Sequence, residues 1–303
     1  MIKRGASTRR NLRWSEFAIE TLIRVLGYST IGFVLLIFAF LLWEGLPAFF
    51  ETPLSNLFGT RWYPTFGLYG MLPILLGSIM VTVLAIVMAV PLGVATAVFI
   101  REIAPSWARN ILKPAIEVLA GIPSVVLGFF GMTVFAPIIR ETLNAPTGLT
   151  ALSGAVLLAY MALPTIISVA EDALDAVPKS YRDGSLAMGA THWQTIWRVV
   201  VPAARSGVIT AVMLGMGRAI GETMAVLMVT GNAARMPTTL DSLLRPIRTM
   251  TATIAAEMGE VSSGSPHYHV LFGIGIVLFV LTFIINLAAA STVFNKRRRG
   301  GLR

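Results

Sequence analysis

The stretch MLPILLGSIMVTVLAIVMAVPLGVATAVFI, residues 71–100, contains no Asp, Glu, Lys or Arg. A hydrocarbon core about 30 Å thick is crossed by about 20 helical residues, so this run can span a bilayer if it tilts or bends at Pro91. In an amphipathic helix of a soluble protein, apolar residues recur every three or four positions and charged residues lie between them, and this run does not have that pattern. The stretch therefore predicts an integral membrane protein.

Five other runs have the length and hydropathy of membrane-spanning helices. The whole chain is 55% hydrophobic and 13% charged, about half the charged share of an ordinary soluble domain. The fold class predicted is an all-α membrane protein with six transmembrane helices. The predicted spans are Val25–Trp43, Met71–Ile100, Val118–Ile139, Leu149–Ala170, Ser206–Gly231 and Val270–Phe294.

Lys and Arg residues are divided unequally between the two sides of the predicted bundle. The two termini and the loops 101–117 and 171–205 carry 18 of the 24, whereas the connections on the other side carry five. Positively charged loops stay in the cytoplasm, so both termini and the 171–205 loop are predicted to be cytoplasmic. The remaining residue of this set, Arg218, lies inside a span.

The same pattern divides the chain into four parts. The first helix is expected to stay uncleaved, because residues 47–50, PAFF, make a poor signal-peptidase site. The parts are a basic N-terminus at 1–24, the first transmembrane helix and an outer loop at 25–70, a five-helix core at 71–294 that includes the cytoplasmic loop 171–205, and a basic tail at 295–303.

Several classes of function are excluded by what the sequence lacks. There is no cysteine for a disulfide or a thiolate site, and no Gly-Lys pair for a phosphate-cradling ATPase loop. The net charge is +9, and most of the basic residues lie at the termini and in the loops. They form no basic face with interspersed aromatic residues, so binding to anionic lipid headgroups is favoured over binding to nucleic acid. We expect no catalytic residue, no cofactor and no metal site, and the three histidines, His192, His267 and His269, are interpreted as solvated loop residues.

The 171–205 loop is long for a connection between spans and predicts two short helices. Residues 179–188 follow Pro178 and can form the first helix, with Gly189 as its left-handed cap. Thr191 and Gln194 have the spacing of a capping box that opens the second.

Pro202 is expected to end this second helix. Its apolar residues recur at helical spacing and predict a face that packs on the bundle. From spacing alone, an alternative interpretation remains, in which the two helices only lie on the membrane surface. The predicted packing residues are Trp193, Ile196, Trp197 and Val200.

The run GRAIGET, residues 217–223, places Arg218 and Glu222 one helical turn apart inside an apolar span. Each charge costs about 2.5–3.5 kcal/mol at the centre of a bilayer, so both need partners or water. Twelve residues from the start of the span put Arg218 about 18 Å deep, which is too far to reach the surface easily. Gly217 and Gly221 have a small-xxx-small spacing that lets a neighbouring helix come close.

Two interpretations of this charged pair remain open. It can join helices structurally, or it can form a substrate station, since the planar fork of arginine suits tetrahedral oxyanions. In the second interpretation Arg218 meets the anion, and Glu222 fixes the arginine and limits its affinity.

The cytoplasmic loop resembles the signature of ABC importer permeases, Glu-Ala-Ala, three residues, Gly, nine residues, then Ile-x-Leu-Pro. Asp183-Gly184-Ser185 stand in the place of the first triplet, Gly189 is the glycine and residues 199–202, VVVP, close the motif. The resemblance implies a MetI-like bundle and ATPase coupling through Asp183, Ser185, Ala187 and Gly189.

Three further segments resemble the PstC-type permeases of phosphate ABC importers. The resemblance implies a multi-pass subunit of the bacterial inner (plasma) membrane that moves inorganic phosphate into the cytoplasm. The partners implied are a second homologous permease, cytoplasmic ATP-binding subunits and an extracytoplasmic phosphate-binding protein, with Arg218 and Glu222 in the anion path. The segments are 121–140 (GIPSVVLGFFGMTVFAPIIR), 217–226 (GRAIGETMAV) and 272–286 (FGIGIVLFVLTFIIN).

The outer loop 232–269 contains Met250, Ile254 and Met258 at four-residue spacing. This predicts a short helix over Thr249–Met258 lying against the outer surface, where it either docks a binding protein or plugs the mouth of the path.

Residue chemistry alone also leaves three rival functions. These are a permease for another oxyanion such as sulfate or molybdate, a gradient-driven secondary carrier, and a structural membrane scaffold. A carrier would be expected to show inverted halves with broken midplane helices, and the first three predicted spans hold no counterpart of the Arg218 and Glu222 pattern.

Overall fold

The computed structural model describes the backbone of residues 7–300 and the side chains of residues 16–239 and 241–287. The outermost basic residues of both predicted termini therefore lie outside the described side chains. Helices form most of the described chain, and a small hairpin pairs β1 (Trp62–Tyr63) antiparallel with β2 (Leu68–Tyr69). The helices are α1 Ser7–Glu51, α2 Leu54–Leu57, α3 Leu72–Val98, α4 Ser106–Ala120, α5 Ser124–Phe130, α6 Ala136–Thr142, α7 Ala151–Asp175, α8 Lys179–Ala187, α9 His192–Thr195, α10 Val201–Ala203, α11 Arg205–Gly221, α12 Met224–Val229, α13 Met250–Glu257 and α14 Pro266–Gly300.

Shorter helical turns join or flank some of these helices. Three are π-helical, and they extend α3 and connect α5 to α6 and α9 to α10. The π turns are Phe99–Ile103, Gly131–Phe135 and Ile196–Val200, and 3-10 turns occupy Pro64–Phe66 and Leu240–Leu244.

The all-α membrane fold predicted from the sequence is confirmed. Within the described residues, five helices are long and apolar enough to cross a membrane, and a sixth span results if a helix pair bent by 69° between Ala203 and Arg205 is counted as one. Pro91 stays inside a continuous α3. The helix of the first predicted span, Val25–Trp43, extends well beyond it at both ends.

The predicted third span, Val118–Ile139, begins too early. The structure ends α4 at Ala120 and starts the membrane-length helix at Ser124. Pro123 disfavours helical backbone in the residue before it, which favours a break just after Gly121. Residues 118–120 therefore belong to α4, an amphipathic helix with no buried residue.

The predicted continuous fifth span, Ser206–Gly231, is also wrong, because the helix breaks in its middle. Helix α11 ends at Gly221, and Glu222 has extended backbone angles, φ −70° and ψ 132°. The carboxylate of Glu222 then accepts a hydrogen bond from the N–H of Ala225 at 3.3 Å. This bond satisfies an N–H at the start of α12 that has no partner within the helix, so the break is stabilised locally.

Helix α7 forms the centre of the bundle and packs against both α3 and α11. Its fully buried Ile166 sits over two glycines, Gly93 of α3 and Gly215 of α11. A Cβ on Gly93 would lie 2.7 Å from Cγ2 of Ile166, and one on Gly215 would overlap with Cγ1 of the same side chain. The two glycines thus set how closely the three helices approach.

Gly215→Ala is therefore expected to destabilise the folded chain by about 1–3 kcal/mol, the usual cost of overpacking. Gly217→Ala is the matched control, since a Cβ at Gly217 has nothing within 4 Å and alanine favours the helix. The thermal midpoint of the purified chain measures both. Ile166→Ala removes Cγ1 and is therefore expected to cost less stability in the Gly215→Ala background than in the wild type. Equal midpoints for Gly215→Ala and Gly217→Ala would contradict the packing assignment.

Helix α1 packs on α14 along only part of its length. Phe38 stacks on Phe279 with ring centroids 4.5 Å apart, and Phe40 meets Phe272 edge-on at 5.7 Å. The large apolar residues between 17 and 37 are mostly exposed within the chain. In a bilayer, lipid covers such a surface.

The helix predicted over Thr249–Met258 is confirmed as α13, but its predicted position is wrong. Met250 and Thr253 are buried, and α13 packs against α3, α12 and α14 instead of lying on the outer surface. Thr249 caps it by accepting a hydrogen bond from the N–H of Ala252 at 3.3 Å.

The interpretation of His267 and His269 as solvated loop residues is wrong as well. Both lie in the first turn of α14 and are mostly buried. His267 Nε2 is 2.9 Å from a carboxylate oxygen of Glu257, and His269 Nδ1 is 2.8 Å from the carbonyl oxygen of Glu44. Packing therefore gives each ring a polar partner on another segment, ten positions away for His267 and 225 positions away for His269.

Candidate substrate pathway and coupling elbow

Arg218 lies one turn before the end of α11 and reaches two other helices. Its Nη1 donates to the hydroxyl of Thr165 in α7, and its Nη2 donates to the carbonyl oxygen of Ala120, the last residue of α4, both at 3.4 Å. These distances are long for hydrogen bonds, so the contacts are weak. The negative end of α4 nevertheless favours a cation at this position.

Glu222 does not pair with Arg218. Within the described side chains, no carboxylate oxygen comes within 4.0 Å of the guanidinium. The carboxylate of Glu222 instead caps α12 as described above, and its backbone oxygen accepts from the hydroxyl of Thr251 at 3.0 Å. The expectation that Glu222 fixes the arginine is therefore wrong here, because the helix ends before it reaches Glu222.

The side of α11 beside Arg218 is open within this chain. A Cβ added at Gly217 or at Gly221 would meet no neighbouring helix within 4 Å, and Leu214 on the same side is 50% exposed. The close approach of a neighbouring helix predicted from the glycine spacing is thus absent among the described helices. The charge of Arg218 lies next to a surface that a partner subunit or a polar path can occupy.

Sequence reasoning missed the two groups that hold Arg218. Thr165 carried a usable signal, since it is a hydroxyl in the uncharged fourth span directly after Pro164. The Ala120 carbonyl could not be anticipated, because the break at residues 121–123 brings it to α11 only in the folded chain.

An apolar cavity of about 270 Å³ lies between the α5–α6 segment and α7. Its lining offers little to an anion, which needs hydrogen-bond donors or positive charge. We therefore place the candidate path at Arg218 and not in this cavity. The cavity is lined by Leu127, Phe130, Phe135, Val156, Leu157 and Tyr160.

The two short helices predicted in the 171–205 loop are confirmed as α8 and α9, which meet at Gly189 and together form the elbow. Gly189 has φ +83°, the left-handed conformation expected of a helix cap. Thr191 Oγ1 accepts from the N–H of Gln194, and the Gln194 side chain accepts from the N–H of Thr191, which completes the predicted capping box.

The packing of the second arm of the elbow, the helical segment His192–Ala203, is only partly as predicted. Ile196 and Val200 are buried, but Trp193 and Trp197 are 59% and 44% exposed and contact each other edge-on. The helix continues through a π-helical turn into α10 and ends at Ala203, one residue after Pro202, where the chain bends sharply.

The four predicted coupling residues occupy two different environments. Asp183, Ala187 and Gly189 are exposed on the elbow. Ser185 is partly buried, and its hydroxyl lies 3.0 Å from that of the buried Thr195. Ser185 therefore holds the two arms of the elbow together.

Replacing Gly189 by Ala is expected to destabilise the elbow by about 1 kcal/mol, because a residue with a Cβ is strained at positive φ. Gly189→Asn should cost less, since asparagine tolerates this conformation better. Hydrogen exchange at the amides of α8 and α9 measures the effect. Identical exchange in the alanine variant and the wild type would contradict the strained-cap assignment.

Ion pairs join the end of α7 nearest the elbow to neighbouring helices. Lys113 of α4 lies 2.5 Å from Glu171 and 3.0 Å from Asp172, and these two hydrogen bonds hold the pKa of Lys113 above its ordinary value. Arg101 pairs with Asp175. Residues 171–175, assigned to the loop from the sequence, are thus the last turn of α7.

Membrane-length helices, an exposed elbow and a lone arginine beside an open face are features of a transport subunit. Residues 89–300 match the family model described as binding-protein-dependent transport system inner membrane component. The match covers more than half of the chain, and the chain belongs to this family. It is a multi-pass membrane protein of the permease class.

Relatives and solved structures agree with this assignment. The probable ABC transporter permease YqgH of Bacillus subtilis is 41% identical over 290 residues, covering 94% of this chain and 93% of the relative. The phosphate transport system permease PstC of Mesorhizobium japonicum is 37% identical over 262 residues, covering 80% of this chain and 78% of the relative.

Two crystal structures of ABC transporters share the fold at low sequence identity. A chain of a bacterial alginate ABC transporter aligns with a TM-score of 0.61 and 16% identity, covering 91% of this chain and 95% of that chain. A chain of the inward-facing MetNI methionine ABC transporter aligns with a TM-score of 0.57 and 19% identity, covering 73% of this chain and 93% of that chain. The predicted MetI-like permease bundle is thereby confirmed.

Proposed function

We propose that this chain is the transmembrane subunit through which an ATP-driven importer moves inorganic phosphate into the cytoplasm. The observation that carries the proposal is Arg218, an arginine within one helix of the bent span, whose guanidinium makes two hydrogen bonds among the described residues, both 3.4 Å long. Relatives that are 31–37% identical over most of the chain are phosphate transport permeases, which supports phosphate as the substrate.

The electrostatics of the site suit transient binding of an anion. The guanidinium offers a planar fork of donors that matches two oxygens of a tetrahedral oxyanion. Its present partners are a hydroxyl and a carbonyl, so an anion can displace them without breaking an ion pair. A single arginine binds weakly enough for the anion to leave again.

The proposed assembly places a different partner on each exposed region. A second homologous permease covers the open side of α11 at Gly217 and Gly221. Cytoplasmic ATP-binding subunits supply the energy and contact Asp183, Ala187 and Gly189 on the elbow. An extracytoplasmic phosphate-binding protein docks at the end of the bundle that carries the β1–β2 hairpin.

The proposed orientation follows from charge. The elbow and both termini carry most of the Lys and Arg residues and lie in the cytoplasm of a bacterial cell. ATP binding on the partner subunits closes them, and the elbow converts that closure into a change from an inward-facing to an outward-facing path.

Uptake by proteoliposomes holding the purified complex tests the proposal. ATP is enclosed inside, the binding protein is added outside, and labelled phosphate, sulfate and molybdate are compared. ATP-dependent uptake of phosphate alone is expected. Uptake of another oxyanion instead of phosphate would contradict the substrate assignment but not the assignment as an ATP-driven importer. Uptake without ATP would contradict the importer assignment itself.

A further inference from the structure

One side chain joins the elbow to two long helices. Arg182, in the middle of α8, donates to both carboxylate oxygens of Glu102, from Nη2 at 2.6 Å and from Nε at 3.2 Å. Its Nη1 donates to the carbonyl oxygen of Val177 at 2.7 Å, and its Nη2 also donates to that of Leu174 at 2.9 Å. Glu102 lies in the π-helical turn that ends α3, and Leu174 lies in the last turn of α7.

The geometry of this contact is more restrictive than that of an ordinary surface ion pair. The side chains of Arg182 and Glu102 are 17% and 6% exposed, so water screens them little. Two parallel N–H···O bonds to one carboxylate fix both distance and orientation. The two carbonyl acceptors lie in the last turn of α7 and in the connection that follows it, where carbonyl groups have no helical i+4 partner.

Helix α8 has few other means of attachment to the bundle. None of its residues is buried, so apolar packing does not anchor it. The hydroxyl contact of Ser185 joins it only to Thr195, which lies on the other arm of the elbow. A displacement of α8 can therefore reach α3 most directly through Arg182, whereas the end of α7 is also tied to α8 by the short connection 176–178.

From there a rigid connection leads to the candidate path. Thr165, which contacts Arg218, lies nine residues before Leu174 in the same helix, or about 14 Å along its axis. Helix α7 is continuous over this interval and packs closely on α3 and α11. A shift of its elbow end is transmitted along the helix to Thr165.

We infer that the Arg182–Glu102 ion pair is the link through which the elbow moves α3 and α7 together, and that both are positioning residues for transport. The inference rests on the proposed contact between α8 and the ATP-binding subunits. In this inference the Arg182–Glu102 pair couples phosphate transport to ATP hydrolysis.

Glu102→Gln tests the link, because it removes the ion pair while leaving the bonds from Arg182 to Val177 and Leu174 available. Arg101→Gln is the matched control, since Arg101 is the neighbouring residue and its ion pair with Asp175 joins α3 to α7 without touching α8. In proteoliposomes holding the complete complex, Glu102→Gln is expected to lower phosphate uptake per ATP hydrolysed at least about fivefold, the lower end of coupling between sites. Arg101→Gln should keep the wild-type ratio.

A distance measurement separates coupling from mere stability and does not depend on how well the variant transports. The chain has no cysteine, so spin labels can be placed selectively at Ile103→Cys and Lys179→Cys. Both positions are exposed. Electron paramagnetic resonance then compares the label separation without nucleotide and with ATP bound. A rigid link predicts an unchanged separation in the wild-type background, and a change of several ångströms after Glu102→Gln.

Two results would overturn the inference. One is an unchanged ratio of uptake to ATP hydrolysis in Glu102→Gln. The other is a change in label separation of about one helical turn, about 5 Å, in the wild-type background, which would show the elbow sliding past α3. A failure of the proposed function is distinguishable, because it would appear in the wild-type complex as absent ATP-dependent phosphate uptake, while the label separations still decide the link.

Discussion

Arg218→Gln is expected to lower the kcat/KM of phosphate uptake by about 10- to 150-fold. The amide keeps a similar length but loses the positive charge, and hydrogen bonds to charged groups contribute about 1.5–3 kcal/mol. The wild-type guanidinium lies beside Thr165 and the Ala120 carbonyl with no carboxylate in contact among the described side chains. Initial uptake rates in proteoliposomes at several phosphate concentrations measure the effect.

Two variants sharpen this test. Arg218→Lys keeps the charge but loses the planar fork, so intermediate uptake is expected. Arg205→Gln, at the first residue of the same helix, should transport at close to the wild-type rate. The assigned role of Arg218 is wrong if Arg218→Gln assembles with its partners and transports like the wild type.

Glu257→Ala is expected to destabilise the protein by about 3–5 kcal/mol, the range found when one partner of a mostly buried ion pair is removed. The carboxylate of Glu257 accepts from Nε1 of Trp62 at 3.1 Å, pairs with Arg248 and lies 2.9 Å from Nε2 of His267. It thereby joins the hairpin, the loop before α13 and the start of α14. Alanine leaves all three partners without this acceptor.

The thermal midpoint and the denaturant midpoint of the purified chain measure the loss. Glu257→Gln should be less severe, because the amide oxygen can still accept from Trp62. Glu260→Ala is the control, since Glu260 is exposed and such surface changes usually stay within about 0.5 kcal/mol. Equal midpoints for Glu257→Ala and Glu260→Ala would contradict the assignment of Glu257 as the central residue of this network.

The elements that sequence reasoning predicted well are those set by local physical chemistry. The uncharged run at 71–100 had to be helical in a bilayer, because its backbone groups can find hydrogen-bond partners there only within the helix. The elbow followed from Gly189 and the Thr191 capping box, which act within a few residues. Arg218 could be chosen as a candidate site residue from the sequence because a charge in an apolar span is costly.

The errors share a different cause. Hydropathy could not show that the helix breaks at Glu222, because every residue there except the charged pair suits a continuous span. It could not show that Glu257 and His267 meet, since α13 and α14 are joined by a loop whose path depends on packing. Trp193 and Trp197 have the helical spacing of a packed face, yet both are exposed. A periodic pattern predicts an apolar face but does not show whether another segment of the chain covers it.

The sequence by itself determined that this protein is a helical membrane protein with a charged residue inside a span and an elbow between spans. These features depend on the solvent and on interactions a few residues apart, which the order of amino acids specifies directly. Only the tertiary structure decided that Arg218 meets Thr165 and Ala120 instead of Glu222, and that Arg182 joins the elbow to Glu102. Those contacts connect residues that are 53, 98 and 80 positions apart. They form only because close packing of α3, α7 and α11 brings distant segments together.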